Sequence, residues 1–213
     1  MGQQIVVIGL GAFGGMVARE LADMGHEVLG CDRDPLVVAE AAPRLTQALE
    51  LDATDVDALR AIGPTEFDVA FVALDRQSTV LTTMLLEQLG ARSIQARAQT
   101  DLDAEIPRRV GADRVVLPDR QMAGWVARTI DLAGALDYIR LSAGIGAVHI
   151  AIRDRLVGGS VGEVQAARPA MRIVAIRRGD DVISDPADDV RLVAGDSLLV
   201  VGPESEFRAL AEH

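Results

Sequence analysis

Gly9-Leu10-Gly11-Ala12-Phe13-Gly14 is a GxGxxG run that follows the apolar stretch Ile5 to Ile8 and opens an amphipathic one. In a strand, turn and helix of this kind the first glycine permits the sharp turn and the second lets the backbone approach a pyrophosphate. The third packs helix against strand, while unpaired N–H groups at the helix start face the anion. Asp32 lies 18 residues after Gly14, at the end of the next predicted strand, where an acidic side chain accepts hydrogen bonds from ribose hydroxyls. A 2′-phosphate would be repelled there, which favours NAD over NADP, although the neighbouring Arg33 works against that preference. Any adenosine ribose satisfies the same carboxylate, so ATP, ADP and NAD(H) stay open.

Other chemistry is thinly supplied. All 21 basic residues are arginine, which excludes a P-loop lysine, a Schiff-base lysine and a Tyr-Lys dehydrogenase pair. Proton transfer beside a hydride needs His, Lys or Tyr. His26 falls in a turn, His149 inside a strand, His213 at the last position, and Tyr138 is the sole tyrosine. This supply argues for nucleotide sensing without catalysis; a small NAD-dependent oxidoreductase is the rival reading. Cys31, the single cysteine, leaves no intramolecular disulfide and suits a reducing compartment. At an apolar strand end beside a carboxylate its pKa should rise and its reactivity fall. Asp101, Asp103 and Glu105, and the group Asp180, Asp181, Asp185, Asp188 and Asp189, lack the spacing of a calcium loop and read as solvated faces.

The elements that must position these residues alternate at intervals of about 20 residues, the pattern of βαβ units on a parallel sheet. Strands are predicted at Gln4–Ile8, Glu27–Cys31, Gln47–Leu51, Asp68–Ala73, Ser93–Arg97 and Arg114–Leu117. Helical spacing falls at Phe13–Met24, Pro35–Ala42, Val56–Ile62, Ser78–Leu89 and Asp103–Val110, and Gly25, Gly63, Gly90 and Gly111 sit where helix ends favour a left-handed cap. The fold class is therefore α/β, a Rossmann-like doubly wound parallel sheet, with a second, smaller α+β domain. After Pro118 a further helix, Arg120–Gly134, sets Met122, Trp125, Val126 and Ile130 on one face, to pack within the chain or to form a dimer contact. The later residues read as strands Tyr138–Leu141, Val148–Arg153, Met171–Arg178, Val190–Leu192 and Ser197–Val201, with a helix start at Ser160-Val161-Gly162-Glu163, tight connections at Gly179-Asp180-Asp181 and Ala194-Gly195-Asp196, and a last helix at Pro203–Ala211. The expected division is 1–118 for nucleotide binding, 119–135 for the crossover helix and linker, and 136–213 for a regulatory domain.

Hydrophobic residues make up 49 % of the chain and aromatics only 3 %, so the core is aliphatic. The net charge of −11 argues against wrapping nucleic acid or anionic lipid. No apolar run approaches the roughly 20 residues of a spanning helix, and the chain enters a strand at once without a signal peptide, so a cytoplasmic location is expected.

Taken together, Val6-Val7-Ile8-Gly9-Leu10-Gly11-Ala12-Phe13-Gly14-Gly15, Met24-Gly25-His26-Glu27-Val28-Leu29 leading to Asp32, Asp52-Ala53-Thr54, Leu81-Thr82-Thr83, Arg97-Ala98-Gln99 and Gly111-Ala112-Asp113-Arg114-Val115 before Pro118 resemble the regulatory subunits of Trk/Ktr potassium-uptake systems. These are built from an RCK nucleotide-binding domain and a TrkA-C domain, and the resemblance spans nearly the whole chain. It implies a non-catalytic gating subunit whose ATP, ADP or NAD(H) rests on Gly9 to Gly14, with Asp32 on the ribose, Asp52-Ala53-Thr54 near the adenine and Arg97 facing the phosphates; Arg33, Ala73 and Leu74 are further candidate contacts to the nucleotide. It further implies a homodimer through the crossover helix, four dimers closing into an octameric ring, and docking at the cytoplasmic face of the membrane on a potassium translocator. Ala12 stands where such loops often carry Arg. Asp119 stands where relatives have a metal-binding Glu, so a divalent cation, Mg or Ca, would meet a shorter arm. Some TrkA-C modules bind cyclic di-AMP between two copies.

Overall fold

The computed structural model describes residues 2–211, which divide between Arg120 and Gln121 into two compact units. In the first unit six strands, β1 (Gln4–Ile8), β2 (Glu27–Asp32), β3 (Gln47–Glu50), β4 (Val69–Val72), β5 (Ile94–Arg97) and β6 (Arg114–Val116), form a wholly parallel sheet in the order β3-β2-β1-β4-β5-β6. Five helices alternate with them: α1 (Ala12–Asp23), α2 (Pro35–Ala41), α3 (Val56–Ala61), α4 (Arg76–Gln88) and α5 (Asp101–Arg109).

The period of two along a strand sorts the core into layers. On β1, Ile5 and Val7 pack with Leu10, Ala18, Val28, Ala41 and Phe71, whereas Val6 and Ile8 face Leu29, Leu59, Val72, Leu86 and Ile94 on the other side. Both faces of the sheet are thus buried, which is why its strands read as unbroken apolar runs. Helix starts are fixed by side chains: Asp34, Asp55, Asp75 and Thr100 each accept an amide from the first turn that follows. Because of the last two caps, α4 and α5 begin two residues earlier than their apolar spacing suggests.

Helix α6 (Pro118–Asp131) begins at the proline itself and carries the chain out of the first unit. It contains no buried residue; Met122, Trp125, Val126 and Ile130 are exposed. The second unit holds a five-stranded antiparallel sheet of β7 (Ala135–Ser142), β8 (Ile145–Ala151), β9 (Arg172–Arg178), β10 (Asp181–Ser184) and β11 (Ser197–Pro203), ordered β10-β9-β11-β8-β7, with helices α7 (Val161–Ala167) and α8 (Glu204–Ala211). Its core gathers Tyr138, Val148, Ile150, Val161, Ile176, Leu192, Leu198, Val200 and Phe207. Ser160 and Glu163 close a reciprocal cap at the start of α7.

Two expectations for this unit are corrected. Val190–Leu192 is not a strand: Leu192 is buried from a loop, and pairing there is limited to a bridge between Ser160 and Arg191. Conversely, Gly179 and Asp180 connect β9 to a strand that apolar patterning misses, because β10 lies at the sheet edge with Val182 63 % exposed. Arg178 grips Asp196 through Nε and Nη2, both at 2.8 Å, and the Asp196 side chain is fully buried. No helix among the described residues is long and apolar enough to cross a membrane.

Candidate functional site

The carboxyl ends of β1, β2, β4 and β5 open onto a cleft of about 490 Å³ in the first unit. Strand order reverses between β1 and β4, and in open α/β sheets ligands bind at such a switch point. Gly9 leaves β1 at φ +93°, and a Cβ there would lie 2.6 Å from the Ala73 carbonyl oxygen. A Cβ on Gly14 would come within 1.9 Å of the Gly9 carbonyl oxygen, so helix and turn touch backbone to backbone. Around Gly11 the opposite holds, since nothing lies within 4 Å of a Cβ built there. Gly11 also caps α1 without a side-chain hydrogen bond, and the orphan amides of that first turn are donors for an anion.

Asp32 ends β2. Its Oδ2 accepts the Leu10 N–H at 2.7 Å and its Oδ1 the Asp34 N–H at 3.0 Å, which fixes the carboxylate against the glycine turn. Asp52 Oδ1 accepts both the Thr54 hydroxyl at 2.7 Å and the Thr54 N–H at 2.9 Å, and the buried Thr82 hydroxyl holds the Ala53 carbonyl at 3.0 Å. The Thr54 hydroxyl and amide, helped by Arg33, keep Asp52 below the ordinary carboxylate range. Asp75 is likewise lowered by the Ser78 hydroxyl and amide, with Gln77 N–H and Arg33 adding to them. Arg97 lies 5.3 Å over the Phe13 ring; its Nε is buried without a hydrogen-bond partner, and its Nη2 stands 3.7 Å from Asp119.

Of the residues singled out by sequence, Gly9, Gly11, Asp32, Arg33, Asp52, Ala53, Thr54, Ala73, Leu74 and Arg97 line this cleft. Leu10 and Gly14 serve it indirectly, one as amide donor to Asp32 and one as the helix packing point. Phe13 supports Arg97, and Ala12 is exposed at the first helical position. Asp75, Ser78 and Gln99 also line the cleft, a role the sequence motifs do not assign to them; a cap position just before α4 is the signal that points to Asp75.

A nucleotide fits these residues: open backbone at Gly11, free helix amides and an underused guanidinium for phosphate, fixed carboxylates for hydroxyls. A divalent cation finds less, because Asp119 meets Arg97 here and no three His, Cys, Asp or Glu side chains converge among the described residues. Asp103, expected on a solvated face, is instead buried against Arg76 with Nε at 2.8 Å, since α5 packs on α4. Cys31 lines the cleft floor, yet burial and Asp32 push its thiol up to about 12, so it is a poor nucleophile at neutral pH. Candidate proton carriers are engaged elsewhere. The His26 ring nitrogen Nδ1 takes the Gln3 N–H, His149 meets the Ser197 hydroxyl at 2.7 Å, and the Tyr138 hydroxyl donates to Glu204. His213 lies outside the described residues. A separate apolar groove of about 550 Å³ in the second unit is lined by Ile145, Pro169, Met171, Arg172, Val201 and Pro203, among others.

Residues 5–118 match the TrkA-N domain model and residues 147–213 the TrkA-C domain model. Ktr system potassium uptake protein C of Bacillus subtilis is 36 % identical over 97 % of this chain and 95 % of its own length. Ktr system potassium uptake protein A of the same organism is 31 % identical over 97 % and 94 %. Among solved structures, the GsuK RCK domain superposes with a TM-score of 0.69 at 17 % identity, covering 100 % of this chain and 48 % of that one. The GsuK channel bound to NAD gives 0.67 at 14 % identity over 99 % and 39 %, and GsuK bound to ADP gives 0.53 at 15 % over 63 % and 35 %. At those identities the structures establish the fold.

Proposed function

The chain belongs to the TrkA-N and TrkA-C family that includes the potassium-uptake Ktr subunits, and from that premise we propose a nucleotide-binding, non-catalytic regulatory subunit of a membrane potassium-uptake system. The observation that carries this reading is the cleft at the β1/β4 switch point, which has phosphate and ribose donors and acceptors in place while His26, His149 and Tyr138 are occupied elsewhere. Its ligand is an adenine nucleotide, ATP, ADP or NAD(H). Gly9 to Gly14 and Arg97 would take the phosphates, Asp32 and Arg33 the ribose, and Asp52-Ala53-Thr54 with Ala73 and Leu74 the base. GsuK bound to NAD and GsuK bound to ADP, which share this fold, support that ligand class.

Residues 1–118 would bind the nucleotide, 119–135 would cross over, and 136–213 would regulate. The uncovered face of α6 suits a homodimer, four of which would close an octameric ring on the cytoplasmic face of the membrane through a potassium translocator. A Mg or Ca ion beside Asp119 would need carboxylates from a second copy, and cyclic di-AMP would use the groove of the second unit. Nucleotide then regulates by population shift, only as far as it binds one shape of the assembly better than another.

The test is potassium flux in vesicles carrying the translocator and this chain, paired with native mass spectrometry. Flux should change with added nucleotide, and the spectrum should show eight copies of the 22.6 kDa chain with adenine-nucleotide masses. Nucleotide-independent flux together with substrate-dependent NADH oxidation would replace the reading by the oxidoreductase.

A further inference from the structure

Arg97 reaches into the cleft from the last residue of β5, held by little. Its side chain is 24 % exposed, its buried Nε donates no hydrogen bond, and its 3.7 Å approach to Asp119 is longer than a hydrogen bond. A mostly buried guanidinium with an unused donor is costly to leave so, and its planar fork matches a phosphate better than one distant carboxylate oxygen. Asp119 is the second residue of α6 and 70 % exposed, and its neighbour Arg120 pairs with Asp101. The first turn of α6 is therefore tied to the first unit by two ion pairs.

The last turns of α6 are tied within the second unit. Trp125 Nε1 donates to Asp137 at 2.7 Å, Arg128 lies 5.0 Å over the Tyr138 ring and 3.7 Å from Glu204, and Asp131 takes both Nε and Nη2 of Arg208 at 3.0 and 2.9 Å. Between the two sets stand Gln121, Met122, Ala123 and Gly124. Glycine weakens a helix interior more than any residue but proline.

We propose that Arg97 is a two-position cation. It pairs with Asp119 while the cleft holds no phosphate, and a nucleotide phosphate draws it away, so that α6 loses one of its ties as ligand binds. The inference rests on the nucleotide reading above and names the element that reads occupancy of the cleft. Because phosphate and Asp119 compete for one guanidinium, the coupling is reciprocal: removing the competitor tightens nucleotide binding.

The full chain is titrated with ADP, ATP and NADH, and the tightest of the three is carried to the variants, with hydrogen exchange followed at the amides of residues 122–127. Wild-type exchange there should quicken when nucleotide binds. Asp119→Asn should bind about two- to fivefold more tightly, the range an exposed ion pair supplies, and exchange quickly even without ligand. Asp119→Glu, which keeps the carboxylate, should restore wild-type behaviour, and Arg97→Gln should bind weakly with exchange indifferent to ligand. Asp101→Asn removes the same charge without freeing Arg97 and should leave affinity unchanged. Equal tightening in Asp101→Asn, no tightening in Asp119→Asn, or wild-type exchange that ignores bound nucleotide each overturns the proposal while the nucleotide reading stands. Failure of all three ligands to bind wild type removes both.

Discussion

The two units place their carboxylates in opposite settings. Asp32, Asp52 and Asp75 line an open cleft, each fixed by amide or hydroxyl donors. Asp196 has no exposed side chain, and Arg178 together with the Val193 N–H occupies its oxygens. Asp52, Asp75 and Asp196 are all held below the ordinary carboxylate range, by Thr54, Ser78 and Arg178 respectively. A lowered pKa therefore does not separate a binding group from a structural one. Exposure does, because a carboxylate that is fixed but wet keeps acceptor sites open to a ligand hydroxyl, and a dry one gripped by guanidinium presents none to a ligand.

The sharpest way to break this contrast is at Asp196. Asp196→Ala leaves the Val193 N–H unpaired and strips Arg178, 38 % exposed and so able to reach water, of its bidentate partner, which should destabilise the second unit by about 2–3 kcal/mol. Urea unfolding followed by fluorescence of the single tryptophan, Trp125, reads that loss. Nucleotide affinity should stay within about twofold of wild type, the scatter for distant independent sites. A large loss of affinity would make Asp196 part of the cleft's machinery after all.

Within the first unit the last two glycines of the loop, Gly11 and Gly14, should part company. Gly14→Ala drives a methyl to 1.9 Å from the Gly9 carbonyl oxygen, where backbone must shift, so stability should fall by about 1–3 kcal/mol. Gly11→Ala meets nothing within 4 Å, and its unfolding midpoint should move by no more than about 0.5 kcal/mol in free energy. On the proposed nucleotide reading the same methyl stands where phosphate would approach, so nucleotide affinity should drop at Gly11→Ala without a stability cost. Calorimetric titration beside urea unfolding separates the two, and equal behaviour of both variants would erase the distinction between packing glycine and binding glycine.

The first unit was largely legible because its physics is local and redundant. Ile5 to Ile8 and Ala70 to Val72 are buried on both faces and so announce themselves as apolar runs, with a side-chain cap at the start of α2 to α5 and a left-handed glycine just past α1, α3, α4 and α5. In the second unit burial is one-sided and loops share it. Leu192 is fully buried without belonging to a strand, and Val182 belongs to one while 63 % exposed, so apolar patterning overcalls the first and misses the second. The cleft shows the same limit. Gly9, Gly11 and Asp32 follow from a spacing, but Asp75 is legible only as a helix cap, and its place in the cleft comes from the fold of the β4–α4 turn.

The alkaline effect rests on two groups only, and this composition makes it unusually clean. With no lysine, one cysteine and one tyrosine, few groups other than Cys31 and Tyr138 titrate between pH 9 and 12. Burial and Asp32 raise Cys31 from 9.0 to about 12; burial and the bond to Glu204 raise Tyr138 from 10.0 to about 12. Each folded form holds its proton more tightly than the unfolded chain does. The stability so gained is present in full below pH 9 for Cys31 and below pH 10 for Tyr138, and is lost as pH climbs toward about 12. Thiol-reagent rates should report Cys31 and tyrosinate absorbance Tyr138, one probe for each unit. Cys31→Ala should flatten the lower limb and Tyr138→Phe the upper, whereas rapid labelling of Cys31 in the folded chain at pH 9 would show that the cleft floor is wetter than its packing requires.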